Sequence, residues 1–255
     1  MKPIYQQYAK EIKKNLGYHA TWNPGTPLQL GDYGVVVDGV FKRKGNITGE
    51  RYGISFEVRT DKSKTPLEHY SQNSVALTTK LAGSVPPQVS ALTNADAGII
   101  VEFGRENAIL FKANNTTTLS IEDTETLGDA LIKLYEEGKW NGKFLVITKL
   151  IKAQSATIII SGNAGGKIEL KANANIGIPN LDIADAELKL FPKFENNIAT
   201  KIISEEGLTP LFDVMGVNKG FFSSPKIRHK AIAPKKTTFY AEEIRFIGID
   251  NLSEW

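Results

Sequence analysis

Residues 144–160 read FLVITKLIKAQSATIII, and this stretch decides the class of fold. It is rich in β-branched residues, which suit the pleated, half-buried surface of a sheet. It gives the strongest strand signal in the chain. We therefore predict a β-rich protein with a long strand in this region.

Further apolar or alternating stretches lie on both sides of this strand. Upstream, ADAGIIVEF (95–103) and NAILFKA (107–113) predict two strands joined as a hairpin. Downstream, KIELKANANIGI (167–178) follows a glycine-rich turn, and apolar and charged residues alternate over 183–191. Residues 205–217 fit a helix or a loop. Strands thus dominate the predicted structure.

Two segments show helical spacing instead. Ile4, Tyr8 and Ile12 are four residues apart, and Gly17 is a plausible helix end. Residues 127–137 predict a second, short helix. The predicted fold class is α+β, with a large, twisted, mostly antiparallel sheet, an N-terminal basic helix and a few peripheral helices.

The predicted domain organisation separates the end of the chain from the rest. Residues 1–216 are predicted to form one β-rich domain. Residues 217–240 contain five lysines and one arginine but no acidic residue. We predict that residues 217–255 form a basic segment and a C-terminal strand or inhibitory tail, packed on the same domain.

The composition excludes several classes of site. The chain has no cysteine, which excludes disulfides, thiolate zinc sites and cysteine nucleophiles. The formal net charge is +3, which permits an anionic partner without requiring one. No secretory signal and no long apolar helix are apparent, so we expect a soluble, cytoplasmic protein.

No constellation typical of catalysis or metal binding is found. The three histidines, His19, His69 and His229, are far apart, and HExxH, GxSxG, P-loop and GxGxxG motifs are missing. We therefore predict that the chain is not an enzyme and needs no cofactor or metal. The modest net charge and the missing RNA- and DNA-binding signatures also predict no nucleic-acid partner.

Two basic features stand in the first third of the chain. Lys10, Lys13 and Lys14 lie mostly opposite the apolar face of the first helix, as a solvated face or as a surface for anionic groups. Phe41 then precedes three cations, residues 42–44, just after the turn signal at residues 38–39. This pattern fits an exposed loop with one packed ring, or a loop that inserts the ring while its cations contact phosphates.

The order of these features resembles the gasdermin pore-forming family in its short bacterial or fungal type. The resemblance is carried by residues 143–150, 156–160 and 167–170, which look like a family strand, the strand after it and the hairpin that enters the membrane. The first helix, residues 27–30 and residues 41–44 are similar to the family's first helix, first strands and basic-aromatic loop.

This resemblance implies a resting monomer that oligomerises into a β-barrel in anionic membranes and causes cell lysis or death, as in antiviral defence. The amphipathic stretches 72–112 and 144–191 are expected to enter the membrane. The implied partners are acidic phospholipid, further copies of the chain and an activating protease. The chain is expected to move from the cytoplasm to the inner face of the cell membrane.

The resemblance also assigns roles to residues. The implied lipid-binding residues are Lys10, Lys13, Lys14, Phe41, Lys42, Arg43 and Lys44. Lys235 and Lys236 are the implied cleavage site, and residues 241–255 the implied inhibitory peptide. The lipidated N-terminal cysteine of many bacterial members is missing.

A rival interpretation is a β-rich binding or assembly module with no membrane activity. One large soluble sheet explains the same alternation, and its strands would stay rigid and packed. An enzyme without a recognisable motif is a third alternative, which a deep pocket lined by converging His and carboxylate groups would reveal.

Overall fold

A computed structural model of the chain describes residues 3–83, 90–93, 96–173, 181–218 and 226–229; for Asn218 and residues 226–229 only the backbone is described. The helices are α1 (Ile4–Leu16) and α2 (Thr124–Glu136), and a 3-10 turn spans Ala186–Leu188. The strands are β1 (His19–Ala20), β2 (Asp32–Val37), β3 (Val40–Asn46), β4 (Val58–Ser63), β5 (Leu67–Tyr70), β6 (Val75–Lys80), β7 (Gly98–Phe103), β8 (Ile109–Ile121), β9 (Leu145–Ser161), β10 (Gly166–Lys171), β11 (Phe191–Asn196), β12 (Ile198–Glu206), β13 (Leu211–Asn218) and β14 (Lys226–His229).

The elements confirm the predicted α+β class, with mostly antiparallel sheets and an N-terminal helix. The chain divides into two compact units. The first contains the described residues of 1–61, 118–151 and 209–255, and the second those of 62–117 and 152–208. The predicted boundary at residue 216 falls inside β13 and stays a prediction, because most of the residues beyond it lie outside the described ranges.

In the first unit, β13 pairs with β1, β9 and β14. β9 also pairs with β2, which forms a hairpin with β3. Asp38 and Gly39 connect this hairpin with φ of 52° and 80°, as a type I′ turn requires, and so confirm the predicted turn. Gly34 is needed in β2 because a Cβ there would lie 2.1 Å from the Lys42 carbonyl oxygen.

The first helix forms as its spacing predicts. Tyr8, Ala9 and Ile12 are buried along one face of α1. Gly17 ends the helix with φ of 81°, and its N–H donates to the carbonyl of Lys13 at 3.0 Å. Asp123 caps the second helix, since its carboxylate accepts from the backbone N–H of Thr126 at 2.9 Å.

The core of the first unit joins α2 to the strands around it. Its fully or nearly fully buried members are Leu28, Leu30, Tyr33, Ile47, Ile121, Leu127, Leu131, Trp140, Leu145, Val146, Ile147, Leu150, Phe212, Val214, Met215 and Val217. Residues 144–160 therefore contribute core residues, as their composition predicts.

The second unit contains strands of two sheets. In one, β8 pairs with β5 and β9, and β9 pairs with β12. The other has four strands in the order β11-β10-β7-β6, all antiparallel. One core contains residues from both sheets: Ile99, Val101, Phe103, Ala108, Leu110, Ile159, Ile168, Leu170, Ala172, Ile183, Leu188 and Leu190.

Three predictions of local structure are wrong. β7 and β8 do not pair as a hairpin, because the chain passes from one sheet to the other between them and both strands then face one core. Residues 183–191 contain a 3-10 turn, capped by the Asp185 side chain on the N–H of Glu187. Residues 205–217 lie largely in β12 and β13. By contrast, β9 is a single strand of 17 residues, which confirms the long strand predicted for residues 144–160.

Candidate functional site

The predicted basic residues fall on two elements of the first unit that contact each other. Lys10, Lys13 and Lys14 lie on α1, residues 41–44 lie on β3, and α1 packs beside β3. Lys10, Lys14, Lys42, Arg43 and Lys44 are exposed, and we call the four lysines among them the basic surface. In the described part of the chain these four lysines have no ion-pair partner.

The other two cations are held by carboxylates of the protein itself. The Lys13 ammonium lies 3.4 Å from Asp213 and donates to the Gly17 carbonyl at 2.7 Å. Burial lowers the pKa of Lys13, and Asp213 offsets this effect only in part. Arg43 lies 2.8 Å from Asp32, whose side chain is only 1% exposed. Both cations are therefore engaged within the folded unit, which leaves the four lysines of the basic surface for an external partner.

The prediction that Phe41 and its cations stand in a loop is wrong, because residues 41–44 belong to β3. The hairpin turn already ends at Val40, whose partner across the hairpin is Val37. The Phe41 ring is partly buried and packs on Phe212, with ring centroids 5.6 Å apart. Phe41 therefore belongs to the packed core of this fold rather than to an exposed tip.

The second candidate region is the four-stranded sheet of the second unit, which brings together the two predicted amphipathic stretches. β6 and β7 come from residues 72–112, and β10 comes from 144–191. β7 pairs with β10 along its whole length, from Gly98 opposite Lys171 to Phe103 opposite Gly166. The sheet therefore consists of two strand pairs, β6–β7 and β10–β11, which are far apart in sequence but adjacent in space.

The two faces of this sheet differ in chemistry. The apolar face carries Ile99, Val101, Phe103, Ile168 and Leu170, which are at most 2% exposed. The opposite, charged face carries Lys80, Glu102, Lys167, Glu169 and Lys171, together with the buried Ile100 of β7 and the exposed Phe191 and Phe194 of β11. β10 follows the period-two pattern of a strand with one apolar and one polar side, whereas Ile100 interrupts this pattern on β7 and β11 does not follow it.

Ion pairs connect the residues of the charged face. Lys167 lies 3.3 Å from Glu102 and 3.0 Å from Glu169. Lys171 lies 2.5 Å from Asp96, a residue of the connection between β6 and β7. The hydrogen bonds from Lys171 and from the Thr93 backbone lower the pKa of Asp96 to about 2.

Both strand pairs have their connections at the same end of the sheet. The last row of paired residues is Lys80, Gly98, Lys171 and Phe191. The connections 81–97 and 172–190 both leave from this row. Described residues of the first connection lie over the charged face, and Ala172, Ile183, Leu188 and Leu190 of the second pack in the core under the apolar face.

The outer strands of the sheet present large apolar side chains to solvent. β6 pairs only with β7, and β11 only with β10, within the described residues. Leu77 is 39% exposed, Leu81 beyond the end of β6 is 47%, and Phe191 and Phe194 on β11 are 45% and 42%. These four are most of the exposed large apolar residues of the described chain, whose other members are Val37 and Val58.

The remaining predictions concern the cleavage site, metal binding and membrane-spanning helices. The cleavage candidates Lys235 and Lys236, and residues 241–255, lie outside the described ranges. Across residues that are described, no group of three or more His, Asp or Glu side chains is placed to hold a metal ion. Neither α1 nor α2 is long and apolar enough to cross a membrane.

Sequence reasoning missed the buried charges of the described chain, among them Lys80 and Glu169 of the four-stranded sheet, which are 4% and 1% exposed. Both belong to alternating stretches, and the pattern alone would place them on a solvated face. Their burial depends on chain segments that return over the sheet. No local feature of the sequence predicts those contacts.

Comparison with known proteins gives a weak structural resemblance. No protein-family profile matches the chain, and none of the curated proteins matches it. Among solved structures, the chain is similar to the cryo-EM structure of the Gasdermin A3 membrane pore. The sequence identity is 10%, the TM-score is 0.34, and the match covers 89% of this chain and 95% of that chain.

Proposed function

We propose that this chain is a membrane pore-forming protein whose four-stranded sheet becomes part of a transmembrane β-barrel. The observation that carries the proposal is the sheet itself, which has an apolar face, a charged face and both connections at one end. Membrane barrels need strands that alternate in this way, with apolar side chains toward lipid and polar ones toward the lumen. The implied consequence is leakage and cell lysis, in a role such as antiviral defence.

The length of the strands sets a condition on this proposal. β6, β7, β10 and β11 have six residues each, whereas a membrane-spanning strand needs about 9–11. The strands must therefore lengthen before they can span a bilayer. The connections 81–97 and 172–190 hold enough residues to extend each strand at the same end of the sheet.

The energetic balance favours the apolar face turned toward lipid. Each of its five large side chains contributes about 1.5–3 kcal/mol by being buried, so exposure of all five to water would cost roughly 8–15 kcal/mol. Hydrocarbon is as apolar as the protein core, so most of this stabilisation is retained if the face moves from the core into lipid. The charged face would remain in water.

The outer strands provide the means of assembly. Because all four strands are antiparallel, β6 of one copy can pair antiparallel with β11 of the next. Repeated head-to-tail pairing closes into a ring, which leaves no open sheet edge in the hydrocarbon. The proposed partner is therefore the chain itself, as a monomer at rest and a large homo-oligomer when active.

The basic surface supports a site of first contact with acidic phospholipid. Lys10, Lys14, Lys42 and Lys44 are exposed, and each lysine near an anionic membrane contributes about 1 kcal/mol. Lys13, Arg43 and Phe41 contribute to the fold and would engage lipid only after rearrangement. We propose binding at the inner face of the cell membrane, activation by a protease near Lys235 and Lys236, and no catalytic role or nucleic-acid partner.

The rival proposal, a binding or assembly module, is favoured by the edge strand β11. Pro192 removes a backbone donor from this edge, and the register shift between Phe194 and Pro192 interrupts its pairing. Soluble proteins use such features to prevent the addition of further strands. Under this proposal the four-stranded sheet never changes its pairing.

Dye release from vesicles distinguishes the two proposals. The full chain is compared with chains ending after residue 240 and after residue 219, on vesicles with and without phosphatidylserine. The pore proposal predicts release by a shortened chain from the anionic vesicles only. Shortened chains that fold, as judged by circular dichroism, but release no dye would favour the binding module.

A further inference from the structure

A segment of the connection between β6 and β7 lies over the charged face of the four-stranded sheet. We define the strap as residues 90–93 and 96. Its apolar residue, Leu92, is 1% exposed. A Cβ at Gly98 would lie 2.9 Å from Leu92 Cδ1, which places the leucine directly against the start of β7.

One buried carboxylate holds the strap from the middle of the sheet. Glu169 on β10 is 1% exposed, and its Oε2 accepts from Ser90 Oγ at 2.9 Å. The same oxygen accepts from the backbone N–H groups of Ala91 at 2.7 Å and Leu92 at 3.2 Å. The other oxygen, Oε1, forms the ion pair with Lys167. Hydrogen bonds to an ionised carboxylate are the strong kind, so this contact anchors the strap.

A buried ammonium holds the strap from the opposite direction. Lys80, the last residue of β6, donates to the backbone carbonyls of Leu92, at 3.0 Å, and Thr93. Leu92 thus has its N–H bound by an anion on β10 and its C=O bound by a cation on β6. Asp96 adds a third point, since it accepts from the Thr93 N–H at 2.9 Å and pairs with Lys171.

These contacts lie at the end of the β6–β7 hairpin from which the two strands would have to lengthen. Lys80 is the last residue of β6 and Gly98 is the first residue of β7, and the strap consists of residues that would have to extend β7 toward its N-terminus when the hairpin lengthens. While Glu169 and Lys80 bind the strap, its backbone N–H and C=O groups are engaged and cannot enter a lengthened β6–β7 ladder. The hairpin is therefore held in its short form.

We propose that the strap is a lock on the β6–β7 hairpin, with Glu169 as its principal anchor, and that opening of the strap precedes lengthening of the hairpin. This inference rests on the proposed pore function for its purpose, although the opening itself can be measured without a membrane. It predicts that weakening the anchor opens the strap selectively and speeds pore formation.

The test uses the absence of natural cysteines in this chain. Leu92→Cys places a single thiol under the strap, and its rate of modification by a maleimide reports how often the strap opens. Glu169→Gln replaces the charge-assisted hydrogen bonds by neutral ones and should raise this rate at least tenfold. Glu102→Gln is the matched control, because Glu102 lies on the same charged face and pairs with Lys167 but does not contact the strap.

A second thiol separates opening of the strap from unfolding of the unit. Ala108→Cys places this thiol in the core of the same unit, where Ala108 is fully buried. Glu169→Gln should leave its modification rate unchanged within about threefold. If both thiols react faster by the same factor, or if the rate at position 92 does not change, the lock is refuted. Ser90→Ala removes one hydrogen bond to Glu169 and should raise the rate at position 92 severalfold if Glu169→Gln prevents folding.

The same variants on phosphatidylserine vesicles connect the lock to pore formation. Glu169→Gln should shorten the half-time of dye release severalfold, whereas Glu102→Gln should leave it unchanged. Faster modification of the thiol at position 92 without dye release from any form would support the lock and refute the pore function instead. Faster release with an unchanged modification rate at position 92 would refute the lock and leave the pore function standing.

Discussion

Neutralising the basic surface should abolish most of the affinity of the protein for anionic membranes. The variant carries four changes, Lys10→Gln, Lys14→Gln, Lys42→Gln and Lys44→Gln. All four side chains are exposed and lack ion-pair partners in the described residues, so their loss should not disturb the fold. Lys13 and Arg43 are left unchanged because each is paired with a carboxylate.

The size of the effect follows from the number of unpaired lysines. At about 1 kcal/mol for each lysine near an anionic surface, the four changes remove about 4 kcal/mol of attraction. Since 1.4 kcal/mol is a tenfold change in an equilibrium constant, the partition coefficient should fall roughly 1,000-fold at low salt. The difference should shrink at physiological ionic strength, where the screening length is about 8 Å.

Co-sedimentation with phosphatidylserine-containing vesicles measures the partition coefficient. The control variant has the same change in net charge at four exposed lysines elsewhere, Lys62, Lys64, Lys143 and Lys152. The control should lose less than tenfold in affinity. Equal losses in the two variants would refute the reasoning, because the attraction would then depend on net charge and not on this surface.

Three further predictions concern the fold, the assembly and the strap. Arg43→Gln should lower the free energy of unfolding in urea by about 1–3 kcal/mol, because the buried carboxylate of Asp32 loses its cation; an unchanged value would show that the ion pair does not stabilise the fold. The double variant Thr78→Cys and Lys193→Cys, with one thiol on each edge strand, should give disulfide-linked ladders on anionic vesicles under oxidising conditions, whereas disulfide-linked dimers of either single variant would contradict pairing of unlike edges. The pKa of Asp96 is about 2, below that of an unfolded aspartate near 3.9, so the stabilisation that Asp96 contributes is complete above about pH 4 and is lost as the pH falls toward 2. Hydrogen exchange of the strap amides, corrected for intrinsic rates, should therefore accelerate as the pH falls from 4 to 2. A constant corrected rate would refute the contribution of Asp96 to the strap.

Local signals in the sequence predicted the elements that depend on neighbouring residues. The four-residue spacing from Ile4 to Ile12 and the stop at Gly17 gave the first helix correctly. The Asp38-Gly39 dipeptide gave the first hairpin, since both residues adopt the positive φ that a type I′ turn demands. In both cases the backbone conformation is determined by residues that are close to one another in the sequence.

Strand partnership was not predictable in the same way. β7 and β8 are both apolar and are separated by a short turn, which favours a hairpin from sequence. The structure instead assigns them to different sheets that share one core. An alternating pattern shows which face of a strand is buried but not which strand lies beside it.

The candidate functional residues divide along the same line. Lys10, Lys14, Lys42 and Lys44 were predicted to bind lipid because clusters of basic residues are visible in the sequence, and this role stays a prediction. The burial of Glu169 was missed, because its partner Ser90 is 79 residues away and charged residues are ordinarily placed on the surface.

Depth in the membrane, measured along β6, tests the central claim most directly. Ala76, Leu77, Thr78 and Thr79 are all exposed in the resting fold, so each tolerates a single cysteine carrying an environment-sensitive dye. Leu77 and Thr79 lie in the rows of the apolar face, and Ala76 and Thr78 in those of the charged face. On anionic vesicles, the account predicts quenching by a lipid-soluble quencher at 77 and 79 and by aqueous iodide at 76 and 78. Iodide quenching at all four positions, with no response to the lipid quencher, would contradict insertion of this sheet.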